Sequence, residues 1–346
     1  MSAEQLHERP TVVVTTAGSA STPGTIQHLR RIGYRVVATD MDASAPGLYL
    51  ADRSYLVPPG CSDDFLPELR GICLKEGAVA LVPLVDEELP VVGELEYDGI
   101  AVLAPRAEFI ATCLDKYVLM DRLHALGVPV PETRLATESP DGLRFPVVVK
   151  PRTGRGSRGV TVCGSAAELG RVIAAGPYPA ADLLVQERVA GQEFTVSVVA
   201  WRDGAVQAVV PKEVMLKRGV TKFAVTRRND RVDQVCRDIQ TLLRADGPFN
   251  VQLALDRAGE PRVFEINPRF SSTAPLTVAA GVDEIGGLVG QALGDGGRLG
   301  CEWREGVVMV RRWADEFLPE HEFDRYGIRP AASAAIPPPT GVAAAS

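Results

Sequence analysis

The stretch NVQLALDRAGEPRVFEIN, residues 250–267, contains two short runs with strand-like alternation on either side of a polar turn. Strand-like runs flanking a turn of this composition predict a β-hairpin. If the turn is a two-residue one at Ala258-Gly259, the register of the two strands follows directly. The polar residues are then opposed as Gln252 with Glu265 and Asn250 with Asn267.

One face of this hairpin is polar and the other is apolar, because successive side chains of a strand point to opposite sides. The polar face gathers amide and carboxylate oxygens, which are the hard ligands that suit Mg²⁺ held jointly with nucleotide phosphates. A merely solvated face would more typically carry Lys, Thr or Arg. The sequence therefore predicts a magnesium site, which a one-residue slip in register would remove. The apolar face is expected to enter the core through Val251, Leu253, Leu255, Phe264 and Ile266.

A glycine-rich loop precedes this hairpin in the chain. The apolar run FPVVVK, residues 145–150, ends in Lys150 and is followed by PRTGRGSRG, residues 151–159. Glycines let backbone N–H groups approach an anion closely, and the lysine and arginines supply charge to a polyphosphate. The alternative is a mobile surface hairpin whose basic residues serve solubility. The loop is not a Walker A motif, because the GxxxxGK[ST] pattern does not match.

A third candidate element lies between these two, in LLVQERVAGQEFTV, residues 183–196. An apolar strand ends in Glu187, a short connection contains Gly191, and Glu193 opens the next strand. Such a connection can present backbone groups to a base and a carboxylate to ribose hydroxyls. Acidic residues that flank a turn are nevertheless often only solvated, so this pattern alone decides nothing.

Composition narrows the class of protein. The 346 residues carry a net charge of −7, which argues against a broad electrostatic surface for nucleic acid. The six cysteines form no CxxC pair and the four histidines are dispersed, so neither a zinc site nor a disulfide framework is predicted. The longest apolar runs fall well short of the roughly 18 residues of a membrane span, and the polar start lacks a signal core. We therefore expect a cytoplasmic protein without nucleic-acid or membrane partners.

The first hundred residues alternate between strands and helices, with strands at 11–16, 35–40, 78–85 and 100–103 and a helix at 22–32. Apolar runs without alternation suit strands covered on both faces, which predicts a parallel α/β sheet. Asp40 at the end of the second strand suggests NAD binding, but residues 16–24, TAGSASTPG, lack the GxGxxG spacing of a dehydrogenase. The run Asp86-Glu87-Glu88 is interpreted as a solvated helix start, with a contact for an amine as the alternative.

The rest of the chain is richer in strands. Helices are predicted at 116–126, 166–175 and 232–246, and an extended linker at 128–131. The last sixteen residues are small and proline-rich, which is typical of a flexible tail. Strands are predicted at 145–150, 159–163, 183–187, 193–202, 205–211, 250–256 and 262–267.

These elements, in this order and spacing, resemble the ATP-grasp superfamily, and most closely its carbamoyl-phosphate-synthetase-like carboxylate ligases. The resemblance covers roughly residues 11 to 315, and EINPRFSSTAP, residues 265–275, is especially similar to the synthetase's metal motif. It implies an α/β fold in which a Rossmann-like domain with a parallel sheet precedes a two-lobed ATP-grasp domain. The expected boundaries are 1–112 for the Rossmann-like domain, 113–185 for the small lobe with its glycine-rich lid, 186–330 for the large lobe with the metal site, and 331–346 for the tail.

The resemblance also implies roles for individual residues. Lys116 and Lys150 would contact ATP phosphates beneath a loop that contains Gly156 and Ser157. Arg269 would steady the transferred phosphoryl group, and Lys212 and Lys222 are nominated more loosely as catalytic residues from a loop against the nucleotide. Glu187, Arg188 and Val189 would line the adenine slot, Glu193 would hold the ribose, and Gln252, Glu265 and Asn267 would ligate two Mg²⁺ ions, for which Mn²⁺ can substitute.

A single grasp unit of this length, without the tandem halves of the synthetase or a glutaminase, resembles an amide- or peptide-forming ligase. The primary hypothesis is an ATP-dependent carboxylate–amine ligase that works through an acyl phosphate. Its partners would be a small carboxylate and an amine, an amino acid or peptide being expected, and the family allows a homodimer. Two alternatives stay open: activation of bicarbonate or another small acid, and a nucleotide-binding module without turnover.

Overall fold

The computed structural model describes residues 9–294, 296–312, 314–324 and 326–328. These residues form three β-sheets that follow one another along the chain. The tail predicted at 331–346 lies outside the described residues. Across the part of the chain that is described, no helix combines the length and the apolar character that crossing a membrane requires.

The first sheet consists of β1 (Thr11–Val14), β2 (Arg35–Asp40), β3 (Arg53–Leu56), β4 (Ala78–Val82) and β5 (Ala101–Val102). All its pairings are parallel and the strand order is β3-β2-β1-β4-β5, so the predicted parallel sheet is confirmed. Parallel neighbours require crossover connections, which here include α1 (Thr22–Arg31), α2 (Phe65–Glu76) and α3 (Leu89–Val92). Short 3₁₀ segments occupy Pro46–Tyr49 and Gly93–Asp98.

Two helices, α4 (Ala107–Leu114) and α5 (Lys116–Ala125), lead away from the first sheet. Asp115 lies between them, and its carboxylate accepts hydrogen bonds from the backbone N–H groups of Tyr117 (3.0 Å) and Val118 (3.3 Å). This side-chain cap begins α5. It fixes Lys116 as the first residue of that helix.

The second sheet forms a small lobe. It contains β6 (Thr133–Leu135), β7 (Val147–Pro151), β8 (Thr161–Cys163) and β9 (Leu183–Glu187), antiparallel in the order β6-β9-β7-β8. Helix α6 (Ala166–Ala175) covers it, and Leu169 packs in a core shared with Val147 and Val149. A 3₁₀ segment at Ala180–Asp182 leads into β9.

The third and largest sheet is antiparallel and consists of β10 (Gln192–Trp201), β11 (Ala205–Arg218), β12 (Val220–Thr226), β13 (Phe249–Leu255), β14 (Pro261–Asn267) and β15 (Val308–Val310). The strand order is β14-β13-β10-β11-β12-β15. The strand predicted to end at Pro211 continues to Arg218 and turns at Gly219 into β12. The expected loop against the nucleotide is therefore a β-hairpin.

Helices cover both faces of this central sheet. On one face α7 (Asp230–Leu243) packs through Val232 and Ile239 against Val196 and Val251. On the other face α8 (Ala274–Ala280) and α9 (Glu284–Ala292) share a core with residues of the first sheet and with Val199 and Val210. A last short helix is α10 (Glu320–Asp324). The first sheet and the central sheet are thus joined by one continuous core beside α8 and α9.

Candidate functional site

A cleft of 280 Å³ lies between the small lobe and the β13–β14 hairpin. It leads to a second space of 130 Å³, bounded by the central sheet and by the first domain, which we call the inner chamber. Glu193, Lys217 and Glu265 line both spaces, as do residues of the glycine-rich lid, residues 154–159. The two spaces are therefore parts of one site.

The hairpin that forms the floor has the predicted register where it matters. Gln252 pairs with Glu265 and Asn250 pairs with Asn267, which confirms the expected opposition of these four side chains. The predicted two-residue turn is wrong, because Leu255 pairs with Pro261 and residues 256–260 form the connection. A β-bulge next to Glu265 absorbs the difference.

The bulge also corrects the predicted apolar face. Val251, Leu253, Leu255 and Ile266 lie in the core, but Phe264 does not. Phe264 is the residue without a partner in the ladder, and it lines the cleft instead. Alternation fails at a bulge because one extra residue reverses the faces.

Lys150, the penultimate residue of β7, has its side chain buried in the cleft wall. Its ammonium donates to Gln186 Oε1 (3.0 Å) and to the backbone carbonyl of Phe264 (3.1 Å), so it joins the small lobe to the hairpin. Burial lowers the pKa of Lys150 to about 8, against an opposing effect of the nearby Glu265 carboxylate. An anionic ligand bound beside this ammonium would stabilise its charged form and offset the free-energy cost of its desolvation.

The second predicted cation, Lys116, lies beside the lid. Its ammonium donates to the Gly154 carbonyl at 2.6 Å. Within the lid Gly154, Gly156 and Ser157 all have positive φ, at 100°, 69° and 60°. A glycine-rich turn of this kind allows backbone N–H groups to approach an anion closely. Lys116, Lys150, Gly156 and Ser157 all line the cleft, as the predicted phosphate contacts require.

The predicted adenine edge follows β9. Glu187, Arg188 and Val189 line the cleft there. The Glu187 carboxylate is held by Arg144, through the backbone N–H at 2.8 Å and the guanidinium Nη2 at 2.9 Å. The connection to β10 needs a glycine at 191, since a Cβ there would lie 1.6 Å from the Leu255 carbonyl oxygen.

The predicted ribose and metal residues share a cation that the sequence analysis did not nominate. Lys217 on β11 donates to Glu193 Oε1 (2.8 Å) and to Gln252 Oε1 (3.1 Å). Ending the strand at Pro211 concealed its position. Strict alternation would still have placed Lys217, five positions from Lys212, on the opposite face. Register shifts in the β11–β12 pairing between Val214 and Lys217 bring its side chain to the site, and no motif in the sequence marks them.

The residues on the floor that could bind a metal ion offer one carboxylate and two amide oxygens. Among the described residues no group of three His, Cys, Asp or Glu side chains is placed to hold a metal ion. The Glu265 carboxylate and the Gln252 and Asn267 amides nevertheless line the inner chamber together. Mg²⁺ keeps few protein ligands and completes its shell with phosphates and water, so this donor set fits it.

Arg269 lies at the end of this floor and contacts the first domain. Its Nε donates to Asp86 Oδ1 at 2.6 Å and its Nη2 to Asn267 Oδ1 at 3.1 Å. The Asp86-Glu87-Glu88 run is thus not a solvated helix start. Glu87 pairs with Arg155 of the lid at 2.7 Å, and Glu88 is 1% exposed.

Lys212 and Lys222 do not line the cleft or the inner chamber. Lys212 is fully buried, and its ammonium donates to Ser197 Oγ and Thr277 Oγ1, both at 2.7 Å. Burial lowers its pKa to about 8, opposed by the Glu284 carboxylate. Lys222 follows Thr221 on β12, and of the two only Thr221 lines the chamber. We therefore leave both lysines out of the catalytic set.

Arg311 is a further residue that the sequence did not single out. Its guanidinium donates to the backbone carbonyls of Ala20, Thr221 (3.0 Å) and Ser272 (2.7 Å). Thr221 and Ser272 line the inner chamber, and Ala20 follows Ser19, which also lines it. Burial lowers the pKa of Arg311. This arginine ties together three segments of the chamber wall.

Two family models match the chain. One, described as the N-terminal domain of PylC-like proteins, matches residues 13–101. The other, described as ATP-grasp in the biosynthetic pathway with Ter operon, matches residues 180–312. The first match coincides with the parallel sheet, and the second includes all six strands of the central sheet.

Similar proteins of known name agree with these matches. The carbamoyl phosphate synthase large chain of Thermus thermophilus is 28% identical over 288 residues, which are 74% of this chain but only 27% of the synthase. The biotin carboxylase domain of Hydrogenobacter thermophilus 2-oxoglutarate carboxylase, a dimer in complex with MgADP, ADP and bicarbonate, is 19% identical. Its TM-score is 0.69, over 86% of this chain and 73% of that one.

A third similar protein is an L-amino acid ligase from Bacillus licheniformis, 17% identical with a TM-score of 0.65. The alignment covers 93% of this chain and 78% of the ligase. At these identities the likeness to the two solved structures concerns the fold. The chain spans about a quarter of the length of the curated synthases that it matches.

Proposed function

The chain belongs to the ATP-grasp superfamily, and from this premise we propose that it is an ATP- and Mg²⁺-dependent carboxylate–amine ligase that forms an amide or peptide bond. The observation that carries the proposal is the pairing of Gln252 with Glu265 in the inner chamber, where Glu265 also lines the adjoining cleft that holds the buried Lys150 ammonium. Oxygen ligands and a desolvated cation are brought together there. This combination serves a metal-bound polyphosphate.

In this proposal ATP lies in the cleft with its base against Glu187, Arg188 and Val189. The Glu193 carboxylate accepts hydrogen bonds from the ribose hydroxyls. Lys217, which donates to this carboxylate in the structure, must then move away from it. Lys116, Lys150 and the lid N–H groups take the phosphates. Each of these residues lines the cleft, so one nucleotide can reach them all.

The metal positions in the proposal are the oxygens of Gln252, Glu265 and Asn267. Two Mg²⁺ ions, or Mn²⁺ in their place, would neutralise charge on the phosphates during transfer. The protein's own part is to orient these oxygens. Asn267 Oδ1 is held by Arg269 at 3.1 Å, and Gln252 Oε1 by Lys217 at 3.1 Å.

The reaction needs positioning and charge more than covalent help from the protein. A substrate carboxylate oxygen attacks the γ-phosphorus, the bond to the ADP oxygen breaks, and an acyl phosphate forms. The amine nitrogen then attacks the acyl carbon, loses its proton and displaces inorganic phosphate. Arg269 stabilises the negative charge that develops on the transferred group, and the closed lid keeps water from the acyl phosphate.

The acid and the amine would occupy the inner chamber, beside Arg269. The chamber has a volume of 130 Å³ and is lined by small polar residues such as Ser19, Ser271 and Ser272, with Leu84 and Val85 on the first domain's side. A space of this kind suits a small acid of amino-acid size. We propose an amino acid or a short peptide as one of the substrates.

Bicarbonate is the second candidate for the acid. The biotin carboxylase domain of Hydrogenobacter thermophilus, which shares this fold, was crystallised with MgADP and bicarbonate. In that case the product would be a carboxyphosphate or carbamoyl compound. The same residues would bind the nucleotide, so only the acid distinguishes the two reactions.

The test is Mg²⁺-dependent release of ADP and phosphate from ATP across pooled amino acids, dipeptides and small acids, with bicarbonate in a separate reaction. Release that needs both an acid and an amine supports the amide ligase. Release with bicarbonate alone supports the second candidate. Tight ATP binding without release from any mixture would favour a nucleotide-binding module and contradict the ligase.

A further inference from the structure

The loop between β4 and α3, residues 83–88, contacts two arginines from other parts of the active site. Asp86 accepts from Arg269 Nε at 2.6 Å, and the next residue, Glu87, accepts from Arg155 Nε at 2.7 Å. Arg269 follows the metal-binding strand, whereas Arg155 belongs to the lid. Two neighbouring carboxylates of the first domain thus contact both the lid and the end of the β13–β14 hairpin. We call residues 83–88 the acidic loop.

The acidic loop is itself fixed to the first domain by Glu88. This carboxylate is buried and accepts hydrogen bonds from Thr15 Oγ1 (2.5 Å) and from the backbone N–H groups of Leu84 (2.7 Å) and Val85 (3.0 Å). Thr15 directly follows β1, so the loop is anchored at the centre of the parallel sheet. Leu84 and Val85 in turn line the inner chamber. The Glu88 carboxylate therefore bonds directly to two residues of the chamber wall and to Thr15 beside β1.

The lid depends on contacts outside itself for its position. Arg155 lies between Gly154 and Gly156, both with positive φ, and residues 153–160 form no helix or strand. Glycines on either side leave the segment many alternative conformations. One contact of the lid comes from Lys116 within the ATP-grasp domain, and another is the ion pair of Arg155 with Glu87 of the first domain.

We propose that Glu87 is a positioning residue that holds the lid closed over the inner chamber through Arg155. The proposal rests on the proposed function, since the lid must cover ATP for closure to matter. Asp86, one residue away, keeps Arg269 aimed at the same chamber. The first domain therefore forms part of the chamber wall, through Leu84 and Val85, and also holds the lid, through Glu87. Closure of the lid is thereby coupled to the wall that surrounds the substrates in the chamber.

A fully exposed ion pair would contribute little to the position of the lid. The Arg155–Glu87 pair differs from that case in its exposure. The side chains of Arg155 and Glu87 are 29% and 33% exposed, so the pair is partly shielded from water. The chain offers a matched pair in Arg70 and Asp98, at 2.8 Å with side chains 33% and 28% exposed. Arg70 lies on α2, and neither of its two carboxylate partners lines the cleft or the chamber.

The experiment is a charge-swap cycle on the full chain, measured as the dissociation rate of the non-hydrolysable ATP analogue AMP-PNP with Mg²⁺. Glu87→Arg alone and Arg155→Glu alone are expected to speed dissociation by about two- to fivefold, the range that a partly exposed ion pair contributes. The double variant is expected to return toward the wild-type rate. The same swap at Arg70 and Asp98 should leave the rate unchanged.

The melting temperature of each variant is measured alongside, so that a folding defect is recognised. Single variants that release AMP-PNP at the wild-type rate would overturn the positioning role of Glu87. A double variant that is no slower than the singles would overturn it too, because the two side chains would then act independently. A wild-type protein that does not bind AMP-PNP with Mg²⁺ would instead overturn the proposed function on which this role rests.

Discussion

Glu265 and Lys212 belong to one row of paired residues that crosses the central sheet, yet their surroundings are opposite. The row runs through five strands and its members share one face: Glu265, Gln252, Thr195, Lys212 and Thr226. At the β14 end Glu265 and Gln252 line the open chamber. Toward the other end Lys212 and Thr226 are fully buried.

The covering helices cause this difference. Thr277 of α8 accepts a hydrogen bond from Lys212, and Glu284 of α9 is joined to it through Ser197 Oγ, which donates to Glu284 Oε1 at 2.9 Å. Burial raises the pKa of Glu284, opposed by Lys212. The same face of one sheet thus carries a solvent-facing site and a closed polar network. Alternation along a strand determines the face on which a side chain lies. Whether that side chain is buried or accessible to a ligand depends on the elements that pack over the face.

The largest expected effect comes from the open end of the row. Glu265→Ala should lower ATP turnover by about a thousandfold or more, because the site loses its one carboxylate metal ligand. The fold should persist, since the described structure gives the Glu265 carboxylate no hydrogen-bonding or ion-pair role. ADP release and the circular dichroism spectrum are the measurements. Near-normal turnover in this variant would remove Glu265 from the metal site.

A large but different effect is expected at the closed end. Lys212→Met should destabilise the protein by about 3–5 kcal/mol, because it removes one partner of a buried, hydrogen-bonded charge network. Adding Glu284→Gln should recover part of this loss by removing the charge left behind. Urea denaturation followed by fluorescence measures both. A Lys212→Met protein of full stability that has lost ATP binding would show that Lys212 acts in the cleft after all.

How much the sequence predicts differs along this row. The opposition of Gln252 with Glu265 was predicted because two well-patterned strands lie next to each other in the chain. The bulge at Phe264 was not, since nothing local marks the extra residue. The burial of Lys212 depends on α8 and α9, which follow it by more than sixty positions and were not predicted as helices.

The acidic loop shows the same limit for the site. Asp86 contacts Arg269 across 183 positions, and Glu87 contacts Arg155 across 68. A run of three acidic residues is most often solvated. Here Asp86 and Glu87 find their partners only where the first domain packs against the hairpin and the lid, and Glu88 finds its partners within the first domain. Long-range pairings of this kind leave no periodicity in the sequence.

A smaller effect concerns pH. Because burial holds the pKa of free Lys150 at about 8, most of this side chain is neutral at pH 9. Phosphates bind the protonated form, so binding above pH 8 must take up a proton and becomes weaker as pH rises. The dissociation constant of MgADP should be about tenfold higher at pH 9 than at pH 7.

The matched control for this pH effect is Lys150→Arg, whose guanidinium stays charged throughout the range. Calorimetry across the pH series should show a flat profile for this variant. An equal pH dependence of the dissociation constant in the wild type and in Lys150→Arg would mean that another group titrates. It would contradict a contact between Lys150 and the phosphates.

The central claim is that the open end of the row, with Lys150, binds a metal–ATP complex. The most direct measurement is calorimetric titration of AMP-PNP with and without Mg²⁺, in the wild type and in Glu265→Gln. The account predicts that the wild type binds about tenfold or more tightly with Mg²⁺, and that Glu265→Gln loses most of this difference while it still binds the nucleotide. Equal affinity with and without Mg²⁺ in the wild type, or an undiminished Mg²⁺ effect in Glu265→Gln, would contradict it.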